Sequence, residues 1–276
     1  GVINVYKEQG MTSFDVVFHC KKIFDTRKVG HTGTLGPMAT GVLPICIGKA
    51  TKLVEYLTAD DKVYTATLKL GLVTDTQDIT GTVLEQNDTP VTEEQVRAAA
   101  QSFLGDSLQV PPMYSAIKID GRKLVDLARK GVEVERPPRP ITIYAIDFLQ
   151  CREEEREYVI QVHCKKGTYI RSLCHDMGQK LGVGGVMKTL ERNRSGSFEQ
   201  DTARTLDELR KAKEEGRLEE LLLPIDFPFR LLERIDLNPI QERMVKNGVS
   251  LALSRLSAKE GEGQVAVYGP CGDFLM

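Results

Sequence analysis

A chain of 276 residues with 41% hydrophobic and 28% charged residues has the make-up of an ordinary soluble globular protein, long enough to bury a large core. No apolar run approaches the roughly 20 residues that span a bilayer, and the start "GVINVYKEQG" has no signal-peptide character, so a cytoplasmic protein without a membrane partner is expected. The formal net charge of −2 does not mark a nucleic-acid binder, but an average conceals local imbalance. Residues 163–194 carry seven Lys and Arg against two acids, and 114–140 carry seven against four, whereas "LDELRKAKEEGRLEELL" is acidic. A basic face against an acidic back fits a phosphate-backbone partner as well as it fits a solvated surface.

Taken in chain order, residues 1–6 read as a strand, and "TSFDVVFHCKKIF" as a helix opened by a Thr12/Asp15 capping box. "VYTATLKL" alternates, which puts Tyr64, Ala66, Leu68 and Leu70 on one face of a strand. "TEEQVRAAAQSFLG" has a helix start and a glycine stop. "YSAIKIDGRKL" places an Asp-Gly turn after a short strand, and "LVDLARKG" reads as a short helix ended by Gly131. "ITIYAIDFLQC" and "EYVIQVHCKK" flank a charged turn as an antiparallel hairpin, and "TYIRSLCHDMGQKLG" is a helix with Arg171 in its first turn. Strands segregated from helices predict an α+β fold with a mainly antiparallel sheet. After "LLLPIDFPF" a small C-terminal module is expected, with strand signals such as "GQVAVYG".

The six cysteines are scattered with no C-x-x-C pair, so reduced thiols are expected and neither a disulfide framework nor a zinc ribbon is. His19, His163 and His175 each adjoin a cysteine, but chain neighbours point apart in strands and helices, so no metal is expected. The segment "GHTGTLGPMATG" (30–41) is too rich in glycine for a helix or a central strand. It matches neither dinucleotide- nor phosphate-loop spacing, and "GVGGVMKT" only approaches the latter, which leaves a nucleotide or metal enzyme with near-miss motifs alone. On spacing alone, the segment is a structural loop or one shaped for close approach to a ligand.

Five motifs in order carry a resemblance: "K-x-x-G-x-T-S" (Lys7 to Ser13), "GHTGTL-x-P-x-ATG", "KxYxAxxxLGxxTDTxDxxG" (Lys62 to Gly81), "PPxYSAxKxxGxxL" (Pro111 to Leu124) and "GTYIRSLxxDxG" (Gly167 to Gly178). Together they resemble the bacterial tRNA pseudouridine synthases of the TruB type. The resemblance implies an α+β catalytic domain over 1–230, with a central mixed or antiparallel sheet flanked by helices, and a short PUA-like RNA-binding module over 231–276. It implies isomerisation of uridine-55 in the T loop of tRNA, by flipping the base out of its stack, without metal or organic cofactor. His31 matches the residue that wedges into the loop, Tyr64 the tyrosine against the flipped uracil, Tyr169 and Leu190 pocket walls, and Arg171 the arginine that pairs with the catalytic aspartate. Lys7, Thr34, Lys118 and Lys165 are expected RNA contacts.

The family pattern reads "GHTG-x-L-D-P-x-ATG", with the aspartate as nucleophile, and this chain has Gly36 at that place. Glycine cannot form an adduct, accept a proton or pair with Arg171. Glu8, Val125, Val186 and "LERNRSG" are further departures. Asp75 and Asp78 are the nearest acids, but the family has them in other roles. The resemblance therefore implies an inactive or severely impaired synthase, or a non-catalytic tRNA-binding protein that still grips the T arm. It further implies that Arg171 is left as an uncompensated charge, open to a phosphate or another anion.

Overall fold

The computed structural model describes residues 1–119, 121–252, 256 and 263–275. In chain order the elements are β1 (Val2–Lys7), α1 (Ser13–Ile23), β2 (Val29–His31), β3 (Thr40–Ile47), α2 (Val54–Ala59), β4 (Lys62–Leu70), β5 (Leu72–Thr74), β6 (Val83–Gln86), α3 (Glu93–Gln101), β7 (Gly105–Gln109), β8 (Lys118–Ile119), β9 (Arg122–Lys123) and α4 (Leu124–Ala128). They continue as β10 (Arg139–Arg152), β11 (Glu157–Cys164), α5 (Ile170–Lys180), β12 (Gly185–Ser195), β13 (Phe198–Glu199), α6 (Leu206–Glu214), β14 (Glu233–Asp236), α7 (Pro239–Lys246) and β15 (Val265–Tyr268).

One large sheet organises the chain, in the order β1-β3-β12-β4-β11-β10-β7, with β13 beside β12 and β2 beside β3. Every pairing in it is antiparallel except β12 with β3, which makes the sheet mixed. The fold is α+β. Alternation on β4 buries Ala66, Leu68 and Leu70, and α3 and α5 cover this part of the sheet with Val96, Ala100, Leu173 and Met177. A second cluster joins Val5, Leu43 and Ile45 to Val16 and Cys20 of α1 and Leu209 of α6. Tyr64 and Leu190 pack against both clusters, so they sit on the seam between them.

Capping chemistry fixes the helix starts where the sequence places them. Thr12 accepts from the Asp15 N–H at 3.1 Å while Asp15 Oδ2 accepts from the Thr12 N–H at 2.8 Å, and Thr92 with Gln95 repeats the arrangement at α3. Each cap is worth about 1 kcal/mol. The hairpin of β10 and β11 also forms, and β8 pairs with β9 across the Asp-Gly turn, of which Asp120 lies outside the described residues.

Two segments differ from the sequence reading. Glycine richness does not keep 30–41 out of the sheet: Gly30 and His31 end β2, and Thr40 and Gly41 begin β3. Gly41 belongs there because its φ is +102° and a Cβ on it would lie 2.2 Å from the Arg192 carbonyl oxygen. "GVGGVMKT" is no phosphate cradle but the entrance to β12, and a Cβ on Gly178 would meet the Gly185 backbone nitrogen at 2.0 Å. Those glycines let α5 and β12 touch.

β14 and β15 pair in parallel, and Ile235, Leu237 and Val267 form a separate small core. Residues 253–255, 257–262 and 276 of the expected C-terminal module lie outside the described residues. Among the described residues no helix is long and apolar enough to cross a membrane.

Candidate RNA-modifying site

The loop between β2 and β3 is anchored at alternate residues. Arg192 Nη2 donates to the Gly33 carbonyl at 3.1 Å, Ser13 Oγ accepts from the Leu35 N–H at 2.8 Å, and the Gly10 N–H donates to the Pro37 carbonyl at 2.8 Å. Thr34 and Gly36, between those anchors, are exposed, whereas Leu35 and Ala39 are buried. A Cβ built on Gly36 meets nothing within 4 Å. Position 36 therefore faces open space from a fixed backbone.

Around the loop the sheet supplies aromatic and cationic groups. Tyr64 on β4 is half-buried, and burial holds its phenol above the ordinary range, so the hydroxyl stays protonated at neutral pH. His31, at the end of β2, is held below the ordinary range first by burial and then by the charge of Arg192, which favours a neutral ring. Tyr169 caps the start of α5, its N–H donating to Gln109 Oε1 at 2.8 Å, and burial raises its phenol too. Arg171 lies within electrostatic reach of Tyr169, Tyr169 of Tyr64, and Arg192 of both Tyr64 and His31. Met38, just past Gly36, packs into the same cluster as Tyr64 and Leu190. Four residues singled out in the sequence, with Leu190 beside them, thus share one region next to the glycine loop.

Two expectations fail. Arg171 is not left without a counter-charge: its Nη1 donates to Asp78 Oδ2 at 3.0 Å and to the Thr76 carbonyl at 3.2 Å, and its Nη2 to the Tyr114 carbonyl at 2.9 Å. The turn after β5 carries the carboxylate to it, and Thr76 and Thr80 hydroxyls hold the other Asp78 oxygen. Of the Arg171 nitrogens, Nε is buried without a hydrogen-bond partner. Lys7 is not an RNA contact. It is fully buried, and its ammonium donates to the carbonyls of Glu8 and Met11 at 2.9 and 2.6 Å and reaches that of Pro37 at 3.5 Å. Lys7 supports the loop from below. Lys118 and Lys165 are exposed, on β8 and after β11.

Asp78 and Arg192 also stand at the site, neither with a role there expected from its place in the chain. Among the described residues no group of three or more His, Cys, Asp or Glu could hold a metal ion. Chemically the arrangement offers flat rings for stacking, a protonated phenol, fixed cations, and a loop position with room for a side chain.

Comparison with known proteins puts this fold among the pseudouridine synthases. Residues 21–170 match the TruB family pseudouridylate synthase N-terminal domain, and 171–230 match the tRNA pseudouridylate synthase B C-terminal domain. A tRNA pseudouridine synthase B of Clostridium tetani is 49% identical over 260 residues, covering 94% of this chain and 88% of its own, and one of Bacillus pumilus is 45% identical over 99% of this chain and 90% of its own. Among solved structures, a Cbf5-Nop10-Gar1 complex contains a chain that superimposes with a TM-score of 0.76 at 30% identity, over 99% of this chain and 76% of that one. An H/ACA RNP bound to a substrate RNA containing 2'-deoxyuridine gives 0.74 at 28% identity, with the same coverage. The chain belongs to the TruB family of pseudouridylate synthases.

Proposed function

We propose that this chain is built to isomerise a uridine in the T loop of tRNA to pseudouridine, and that glycine at position 36 leaves it with the RNA-handling apparatus but without the nucleophile. The observation that carries this reading is the loop itself, whose anchored backbone presents an exposed residue 36 beside the region of Tyr64, Leu190 and Tyr169. Relatives called tRNA pseudouridine synthase B, at 49% and 45% identity, supply the substrate class.

In this reading the target base leaves its stack, His31 fills the gap as a neutral ring, and Tyr64 lies against the uracil with its hydroxyl protonated. Tyr169 and Leu190 wall the pocket, while Thr34, Lys118 and Lys165 meet the RNA backbone. A carboxylate at 36 would attack as nucleophile, and Arg171, already fixed by Asp78, would lie ready to stabilise it. With Gly36 no covalent step occurs, and a non-catalytic role in gripping and opening the T arm remains. Residues 231–276 serve as an RNA-binding appendage of the catalytic unit over 1–230, and the protein works in the cytoplasm.

The test is tritium release from carbon-5-labelled uridine in a T-loop RNA, with the chain and its Gly36→Asp variant side by side. Because an added side chain at 36 meets nothing, the variant should melt within about 2 °C of the parent. Its turnover should exceed the parent's by at least about 10³-fold, in line with what removal of a nucleophile costs. Equal turnover in both chains would show that another residue attacks and that the reading is wrong.

A further inference from the structure

β7 stands at one end of the large sheet, and four of its five residues are exposed; the fifth, Gln109, is only 4% exposed. Its backbone is opposite Arg139 of β10, while its side chain reaches the start of α5. There Oε1 accepts from the Tyr169 N–H at 2.8 Å and Nε2 donates to the Tyr169 carbonyl at 3.1 Å, so both main-chain groups of one residue are held by one amide. Further along the chain from Gln109, the Tyr114 carbonyl accepts from Arg171 Nη2 at 2.9 Å. Between these two holds lie Pro111 and Pro112, both buried, whose rings fix φ.

A side-chain amide carries an acceptor and a donor spaced like those of a peptide group, so it pairs with a single residue as a neighbouring strand would. A carboxylate here would leave the Tyr169 carbonyl unpaired, and an apolar side chain would strand both groups. Starting a helix does not require such a hold: Thr12, Thr92, Thr205 and Asn238 cap α1, α3, α6 and α7 with their own side chains. Tyr169 sits at the same position of α5 and makes no side-chain cap. A tyrosine there contributes its ring instead, which in the proposed function walls the pocket. We propose that Gln109 is a positioning residue that sets the main chain at Tyr169 from the edge of the sheet, and so fixes where the Tyr169 ring stands against the bound base. The inference rests on the proposed placing of Tyr169. A misplacement of about an ångström is enough to cost about 10²-fold in rate.

The test labels the full chain with nitrogen-15 tyrosine and follows amide hydrogen exchange by NMR, with the Tyr169 and Tyr158 signals assigned from their loss in Tyr169→Phe and Tyr158→Phe. Tyr158, on β11 and 1% exposed, reports any general loss of stability. Gln109→Met keeps the length of the side chain and removes both hydrogen bonds. In it the Tyr169 amide should exchange about tenfold faster relative to Tyr158 than in the parent. A folded Gln109→Met with the parent's ratio overturns the proposal. Where Gln109→Met does not fold, Gln109→Asn, which withdraws the amide by one methylene, takes its place, and the parent's ratio there overturns the proposal equally. In a Gly36→Asp background the same substitution should lower kcat about 10²-fold and leave KM for the T-loop RNA little changed, a split that mere loss of folded protein does not produce. An unchanged kcat in a reactive Gly36→Asp chain also overturns the proposal. Amide exchange needs no turnover, so a Gly36→Asp chain that fails to react defeats the functional reading, while the hold of Gln109 on Tyr169 is still decided by exchange.

Discussion

The Arg171–Asp78 pair sets a measurable coupling. The two charges meet at 3.0 Å, with Asp78 only 6% exposed and Arg171 20% exposed. At an effective dielectric constant of about 20, Coulomb's law gives about 5 to 6 kcal/mol for that separation. Desolvation of both groups takes back much of it, which leaves about 2 kcal/mol for a charge-assisted hydrogen bond in this setting. Asp78 has further duties, since its other oxygen accepts from the Thr80 N–H at 3.1 Å and from the Thr76 hydroxyl at 2.8 Å. Asp78→Asn alone should therefore destabilise by about 3 kcal/mol, and Arg171→Met, which strands the carboxylate, by a similar amount. Urea unfolding of the parent, both single variants and the double variant measures the coupling directly. The double variant should lose about 2 kcal/mol less than the two single losses added together. A coupling below about 0.5 kcal/mol would refute the view that Asp78 is the counter-charge of Arg171.

Two other outcomes follow from the same region. Gly41→Ala forces a side chain onto a residue with φ of +102° and drives its Cβ to 2.2 Å from the Arg192 carbonyl oxygen, so it should cost about 3 kcal/mol or more in a urea titration. A Gly41→Ala chain as stable as the parent would show that β3 and β12 are not in this contact. Burial, and after it Arg192, pushes Lys62 down to about 8, so between pH 8 and its ordinary range the unfolded chain holds the extra proton and stability from this group rises with pH. Below pH 8 the penalty is constant. Lys62→Met lacks that penalty, and its stability relative to the parent should shrink as pH climbs from 8 towards 10; a gap that stays level contradicts a desolvated lysine.

Local signals made much of the fold legible. The capping boxes at Thr12 and Thr92, the alternation of β4 and the charged turn between β10 and β11 all lie within a few residues of what they determine. β3 and β12 were not readable in that way. β3 carries Pro44, a residue that argues against a central strand, yet there the strand needs only an acceptor: Thr32 donates its N–H to the Pro44 carbonyl at 3.1 Å. β12 begins in glycines that look like a loop, and two register shifts against β4 blur its period. Of the site, Tyr64, Tyr169 and Arg171 stand in motifs whose order is visible along the chain. Arg192 does not, because a charged residue on a strand reads as exposed, and its partners lie some 150 residues away in the sequence. Asp78 was visible as an acid, but only the turn after β5 shows which cation it meets.

Anchoring the glycine loop at residues 33, 35 and 37 separates two properties that are joined in most active sites. Stability resides in the anchored residues, whereas residue 36 touches nothing when a Cβ is added. In the proposed function, chemistry at 36 is lost or regained by a single substitution that the folding equilibrium barely registers. On that reading, selection on folding alone does not tell an enzyme from an RNA-handling protein built on the same loop.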